Sequence, residues 1–386
     1  MEKLKKFNTK EEYQVWKDSD DYSYPNVCKV ADEIIYNDYP DYFWIEALED
    51  VTVYYKSYSN ADYRDFYCSF DKVNWTLIDY KGTVLRKGQK AYIYRVGSLA
   101  YNTFRISGRY NVGGSILSLK YGLDYLKYNS IQENYMSLFE EAKQMVSAKE
   151  LVLCYNTGSG FEGLFNEQTM LEDTPKLKGV LKISDRGIKG MFRNCTSLVK
   201  APTIPSFTTT TGNYYNTVRE LFYGCSNLNY IKAMFTQSFK NNDYSYTKDW
   251  VNGVAEKGTF IANVKRTDFT RGVYGIPEGW DLYLYDEAND RYVVKLSVNS
   301  IQYEYYTDEP KDITWNEFIN SEYNTNGFTA QQEDGETAKT IKFGDNYVLL
   351  SGNKVLITDK VILNTSYTIG QPTTTTELTE TTNEEE

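Results

Sequence analysis

The residues able to do chemistry in this chain define it first by what is missing. There is no histidine among its 386 residues. That removes the usual general base near neutral pH and the commonest metal ligand. A Ser-His-Asp or Cys-His constellation is excluded, and so is every histidine-containing zinc motif. Carboxylate-pair chemistry needs no histidine, as glycoside hydrolysis shows. With 53 Asp and Glu residues, however, some pair is inevitable, and no spacing singles one out. No catalytic residue, metal ligand or cofactor is therefore assigned. The cysteines, Cys28, Cys68, Cys154, Cys195 and Cys225, are odd in number and lack Cys-x-x-Cys spacing. They read as reduced thiols of a protein made in the cytosol. The chemistry that remains is recognition. Tyrosine is in excess at 37 residues, and its rigid apolar ring with a polar tip suits both strand packing and wet binding surfaces. The candidate ligand-binding residues are Tyr214, Tyr215, Tyr244, Tyr246 and Trp250.

The elements that must position these aromatics follow from a phase-locked pattern. A bulky pair ending in Phe is followed by an apolar residue six positions on, and another six further. It reads Leu138-Phe139, Met145, Leu151; Leu164-Phe165, Leu171, Leu177; Met191-Phe192, Leu198, Ile204; and Leu221-Phe222, Leu228, Met234. The Phe spacings are about 26, 27 and 30 residues, in the range of leucine-rich-repeat-like solenoids. Such units bury their apolar faces by stacking. Cys195 and Cys225 hold equivalent positions and are expected as buried small residues, with a disulfide between coils as the alternative. Thr208–Thr211 with Gly212-Asn213 form an insertion that carries Tyr214 and Tyr215, and repeat insertions map to loops on one face. Residues 236–285, with Tyr244, Tyr246 and Trp250, are the expected cap.

The remaining chain supplies flanking domains. Thr9 and Glu12 fit a capping box for a short helix over 7–18, and an irregular arm follows to 40. Apolar runs at Tyr42–Ile45, Val51–Tyr55, Phe66–Phe70, Trp75–Ile78, Ala91–Tyr94 and Thr103–Ile106 predict an antiparallel β-sandwich. Ser69, Asp71 and Trp75 partly match a Ser-x-Asp-x-Gly-x-x-Trp turn. Val73 holds the glycine position and the Trp comes one residue early, so no turn is assigned on it. Further on, Tyr292–Val298 and Gln302–Tyr306 predict a hairpin, Thr314 with Glu317 a capped helix, and Thr340–Phe343, Tyr347–Leu350, Lys354–Ile357 and Thr365–Ile369 strands. The chain is thus expected to be α+β or mostly β and multidomain: 1–40 helix and arm, 41–122 β-sandwich, 123–285 leucine-rich-repeat-like solenoid with cap, 286–370 a small α+β, β-grasp-like module, and 371–386 an acidic Thr/Glu tail.

Several stretches carry a resemblance. Gly190-Met-Phe-Arg-Asn-Cys-Thr-Ser-Leu198 and Leu221-Phe-Tyr-Gly-Cys-Ser-Asn-Leu228 resemble the BspA-like leucine-rich repeats of gut Bacteroidetes and their phages. Trp250–Val254, Gly258–Phe260 and Gly275–Trp280 resemble the segment closing such arrays. Phe43–Asp50 and Gly114–Gly122 resemble the β-domain that often precedes them. Thr314–Asn324 is similar to a C-terminal module of structural proteins of Bacteroides phages, including crAss-like phages. The first two repeats depart from the pattern, with Ala142 and Gln168 where Cys stands in the others. The resemblance implies recognition or virion architecture, and it brings no catalytic residues.

The expected function is therefore that of a non-enzymatic virion structural protein, a head or tail fibre or appendage assembled in the host cytoplasm. Its partners would be other virion proteins and a host capsular polysaccharide or surface glycan, and a homo-oligomer, trimeric by analogy with phage fibres, is expected. The charged stretch Met1–Phe7 lacks the apolar core of a secretory signal, which sets this reading ahead of a bacterial cell-surface adhesin. A carboxylate-based glycan depolymerase is the third alternative. A net charge of −11 disfavours nucleic acid, which selects basic faces. The chain has no run of about 18 apolar residues, so membrane insertion by a helix is not expected.

Overall fold

A computed structural model describes residues 5–7, 12, 28–30, 33–35, 41–57, 66–78, 81–95, 102–127, 130–131, 135, 138–153, 155–156, 160–177, 182–183, 186–206, 208–209, 216–239, 246–298, 301–327, 329–332, 340–341, 346–349 and 354–357. The expected helix over 7–18, but for Phe7 and Glu12, lies outside these residues. So do the strand at 365–369 and the acidic tail. The protein is mostly β, built from several sheets, with no closed barrel among the described residues. It divides into two compact units, Met1–Leu282 and Tyr283–Glu386.

In the first unit, strands β1 (Phe43–Ala47), β2 (Val51–Ser57), β3 (Tyr67–Ser69), β4 (Thr76–Leu77), β5 (Thr83–Leu85), β6 (Lys90–Tyr94), β7 (Asn102–Ser107), β8 (Tyr110–Ser115) and β9 (Met145–Val152) form two sheets. One has the order β9-β8-β1-β6-β3-β4 and the other β7-β2-β5. All pairings are antiparallel except β8 with β9. Alternation along the strands decides which side chains are buried. Phe43, Ile45, Cys68, Ala91, Ile93 and Val112 are buried from the larger sheet, and Val51, Val53, Leu85, Phe104 and Ile106 from the smaller. Phe104 bridges the two, stacking on Phe43 at 5.7 Å and tilted against Phe66 at 5.0 Å.

The repeated segments stack onto these two sheets. All of the Leu/Met-Phe pairs and the apolar residues six and twelve positions after Phe are at most 2% exposed. Their Phe rings form a column: Phe104–Phe139 at 6.0 Å, Phe139–Phe165 at 6.0 Å, Phe165–Phe192 at 5.4 Å and Phe192–Phe222 at 5.7 Å, each stacked. Alternate backbone N–H groups donate to the next segment. Phe161, Gly163, Phe165 and Glu167 reach the carbonyls of Gly187, Lys189, Met191 and Arg193, and the pattern repeats from Ile188–Asn194 and from Val218–Gly224. A left-handed residue at every fourth position accompanies it, as at Arg186, Gly190 and Asn194, then Asn216, Glu220 and Gly224. Elsewhere in each segment successive turns meet in parallel, as Tyr230–Ala233 does with Thr259–Asn263.

Both ends of the column are covered. At the first, Phe104 N–H donates to Leu138 O at 2.7 Å and the Tyr110 hydroxyl to Ala142 O at 2.7 Å. At the other, Trp250 follows Phe222 at 6.3 Å, and Phe260 packs edge-on against it at 6.1 Å. Nearby, the Arg266 guanidinium is buried over Phe239 at 4.1 Å and donates to the carbonyls of Phe235, Gln237 and Asp268. Desolvation lowers its pKa to about 10.

In the second unit, Arg291–Val298 and Ile301–Thr307 form the expected antiparallel hairpin. Asn346–Leu349 joins Arg291–Val298 in parallel, then Lys354–Ile357 and Thr329–Gln332 follow. A short helix, Trp315–Ile319, starts at Thr314 with a complete capping box to Glu317. Trp315 and Phe318 pack with Leu296 and Ile313 as the core.

Candidate functional site

The expected ligand residues separate on inspection. Tyr214, Tyr215 and Tyr244 lie outside the described residues. Trp250 is 0% exposed, and its indole N–H donates to Gly275 O at 2.8 Å. Tyr246 is 7% exposed, packs edge-on to Phe235, and donates its hydroxyl to Ser238 O. These two are core residues and present no ring to a ligand. The physical reason is that the column needs an apolar end-plate, and the largest ring available supplies it.

Aromatic residues gather instead on the outer face of the six-stranded sheet. Residues directly opposite on neighbouring strands share a face. The registers Tyr67↔Leu77, Tyr67↔Tyr94 and Phe43↔Ile93 therefore line up one row, Leu77, Tyr67, Tyr94 and Tyr42. The registers Ser69↔Tyr92, Trp44↔Tyr92 and Trp44↔Gly113 line up a second, Ser69, Tyr92, Trp44 and Gly113, with Trp75 at its edge. Lys90, Glu46 and Asn111 make a third.

The rings touch one another. Tyr67 and Tyr94 stack at 5.1 Å. Trp75 meets Tyr94 at 4.6 Å and Tyr42 at 5.1 Å, both edge-on. Tyr125, from the short helical turn Gly122–Lys127, closes the cluster against Tyr42 at 4.9 Å. Tyr42, Tyr67, Trp75 and Tyr94 are half-buried. Trp44 is covered: a Cβ at Gly113 would collide with its indole, and Lys90 Nζ sits 3.7 Å from its ring centre. Lys72 Nζ covers Tyr92 in the same way at 4.4 Å and pairs with Asp41.

A side-chain-built turn holds Trp75 and Lys72 in place. Asp71 carboxylate oxygens accept from the backbone N–H of Asn74 at 2.7 Å and of Val73 at 2.9 Å, from the Asn74 amide at 2.7 Å and from the Ser69 hydroxyl at 2.9 Å. Ser69 Oγ in turn accepts from the Lys72 N–H at 2.8 Å. Lys72 takes a left-handed φ of 64°. The donors, led by the Asn74 N–H, hold the Asp71 carboxyl well below the usual range. The Ser69–Asp71 match, on which no turn was assigned, thus lies in a real turn held by the Asp71 side chain, with Val73 at the position where the motif has glycine.

Electrostatics raise the phenols of Tyr42, Tyr94 and Tyr125. Burial, then the Asp41 charge, raises Tyr42, while Lys72 opposes. Burial followed by Tyr67 and Tyr42 raises Tyr94, and burial, Asp41 and Tyr42 raise Tyr125 strongly. For Lys72, burial works against the charge, but the bonds to Asp41 and Tyr92 outweigh it and raise the amine. At neutral pH the face offers ring surfaces and uncharged hydroxyls that both donate and accept. That is equipment for binding. Among the described residues no group of three or more Cys, Asp and Glu side chains is placed to hold a metal ion.

The sequence carried this site in its period-two alternation: Tyr42-x-Trp44-x-Glu46, Tyr67-x-Ser69 and Lys90-x-Tyr92-x-Tyr94 place aromatics on the face opposite the core. Counting tyrosines along the chain hides this, because the rows run across strands distant in sequence. No protein-family model, curated protein or solved structure matches the chain, so the reading of its function rests on this geometry and on the repeat pattern.

Proposed function

We propose that this is a non-enzymatic structural protein of a phage virion, a head or tail fibre or appendage of a Bacteroides phage of the crAss-like kind, which contacts host surface glycans. The observation that carries the reading is the stacked Phe column, covered by the sandwich at one end and by Trp250 at the other. In this reading residues 123–285 are a BspA-like leucine-rich-repeat solenoid with its cap, a rigid spacer in which each segment buries its neighbour's face. The backbone ladder sets the register of that spacer, and ion pairs between segments, Lys143–Glu167, Glu162–Lys189 and Arg193–Glu220, accompany it. The second unit is a β-grasp-like module, a reading supported by its hairpin, its capped helix and the parallel return of Asn346–Leu349. Its partners are other virion proteins and further copies of this chain.

The test is binding of the purified, fluorescently labelled protein to intact capsulated Bacteroides cells, with soluble capsular polysaccharide as competitor. Saturable binding that the polysaccharide abolishes is the expected result. Absence of binding by the assembled oligomer would sink the host-contact part and leave a structural spacer.

A further inference from the structure

Resting on that host-contact reading, we infer that the outer face of the six-stranded sheet, with the half-buried rings of Tyr42, Tyr67, Trp75 and Tyr94, is the glycan-binding site, and that it selects neutral pyranose chains over acidic ones. Sugar rings present C–H faces that lie against aromatic rings and hydroxyls that need donors and acceptors at the rim. The face supplies both. Its rows stand on three neighbouring strands, β3, β6 and β1, and neighbouring strands lie about 4.8 Å apart. A pyranose unit is of comparable length, so a short linear oligosaccharide fits along the row Tyr67–Tyr94–Tyr42.

Charge decides the class. The two lysines on this face are engaged: Lys72 pairs with Asp41, and Lys90 lies over Trp44 and opposite Glu46 in register. Glu46 also accepts from the Asn111 amide at 3.1 Å. Two cations therefore stand against three carboxylates, Asp41, Glu46 and Glu150, the last set opposite Gly113 at the end of the second row, so the face carries no excess of positive charge on a chain of net charge −11. A uronate or sulfated chain meets repulsion from the whole molecule and no free cation in the rows. A protein ligand would bury a more apolar core than this face offers, since Leu77 is the one aliphatic side chain in the rows. The other exposed apolar residues nearby, Phe70 at 50% and Val73 at 76%, lie in the Ser69–Trp75 turn beyond them.

The experiment uses the full chain in its assembled state. Polysaccharide extracted from the cells of the previous test is separated on an anion exchanger into neutral and acidic fractions. Both are titrated against wild type, Trp75→Ala, Tyr94→Ala and Phe70→Ser with Val73→Ser, each checked for an unchanged melting temperature. Wild type is expected to bind the neutral fraction, and each ring variant to bind it at least about tenfold more weakly, the loss expected for truncating an aromatic anchor. The turn variant is expected to bind as wild type. Preference for the acidic fraction, or undiminished binding by both folded ring variants, would overturn the assignment. Loss of cell binding in the turn variant alone would point to a protein receptor and overturn it as well. If wild type binds no cells, the host-contact reading itself has failed. If wild type and both ring variants bind cells alike, that reading stands and this face is not the site.

Discussion

Gln168 shows how a single position tells a repeat's story. Where later segments carry Cys195 and Cys225, their thiols donate to the Phe carbonyl of the preceding segment, Phe165 O at 3.1 Å and Phe192 O at 2.9 Å. Gln168 occupies the equivalent place and donates its amide to Phe139 O at 3.1 Å, while its Oε1 accepts from Met145 N–H at 3.2 Å. From the second segment on, a buried donor stands there and cysteine is one solution, whereas the first segment has Ala142 at that position. Both cysteines are free and buried, as expected of small ladder residues, and burial pushes the Cys225 thiol up to about 12. Gln168→Leu strands a buried carbonyl and a buried N–H and is expected to destabilise by about 2–4 kcal/mol. Gln168→Cys restores one partner and should lose less, as read from urea midpoints. Glycines at left-handed positions differ among themselves. A Cβ at Gly190 meets only the Arg193 side chain at 3.9 Å, so Gly190→Ala is expected to cost about 1 kcal/mol for the backbone alone. At Gly224 a Cβ would collide with Asn194 Oδ1, so Gly224→Ala should cost about 2 kcal/mol or more. Equal losses would show that the segments shift freely.

At the scale of the element, side chains rather than ladders set two turns. The helix Trp315–Ile319 is too short to stand by propensity. It forms because Thr314 Oγ1 accepts from the Glu317 N–H at 3.2 Å and the Glu317 carboxylate accepts from the Thr314 N–H at 2.7 Å. Thr314→Ala is expected to cost about 1 kcal/mol, visible as a lower urea midpoint for the second unit. This box was legible in the sequence, because its two partners are three residues apart. The Ser69–Trp75 turn was legible only in part, because its motif is incomplete and the donors that complete it are backbone groups. Asp71→Asn retains one acceptor oxygen, cannot satisfy the same four donors, and should free Trp75 to move. A red-shifted Trp emission with an intact circular dichroism spectrum is the expected readout, and an unchanged spectrum would mean the strands alone hold the turn.

For the whole molecule, the two N-terminal sheets and the stacked segments share one aromatic column from Phe43 to Trp250. The sequence divided them at about residue 122, yet they fall within one compact unit that runs to Leu282. They are therefore expected to unfold together. The pH profile follows from the titrating groups that both units hold. With no imidazole, stability should be level between about pH 6 and 8. Glu167 is depressed by its bond to Lys143, and Glu317 by the Thr314 N–H. Depressed carboxylates stabilise above their unfolded value and lose that contribution as pH falls through the folded one, so stability should decline below about pH 4.5. Tyr110 is buried and raised by desolvation. It favours the fold below its unfolded value and loses this as pH rises, so a second decline should begin above about pH 10. A midpoint that moved between pH 6 and 8 would contradict this account.

The sequence by itself determined six of the nine strands in the two sheets, missing Thr83–Leu85, Tyr110–Ser115 and the parallel Met145–Val152, and it determined the buried positions of every repeat, the capping box and the absence of histidine chemistry. These are local: hydrophobic period, capping partners and composition lie within a few residues of one another. Tertiary structure decided what those elements build. Whether Trp250 becomes an end-plate or a platform depends on what lies beside it in space. Which tyrosines share a face depends on strand order, because Tyr42, Tyr67 and Tyr94 come from three strands whose adjacency no local pattern records. The join between the two sheets and the stack was likewise hidden, since Phe104 and Phe139 meet only when β7 delivers its N–H groups to the first segment.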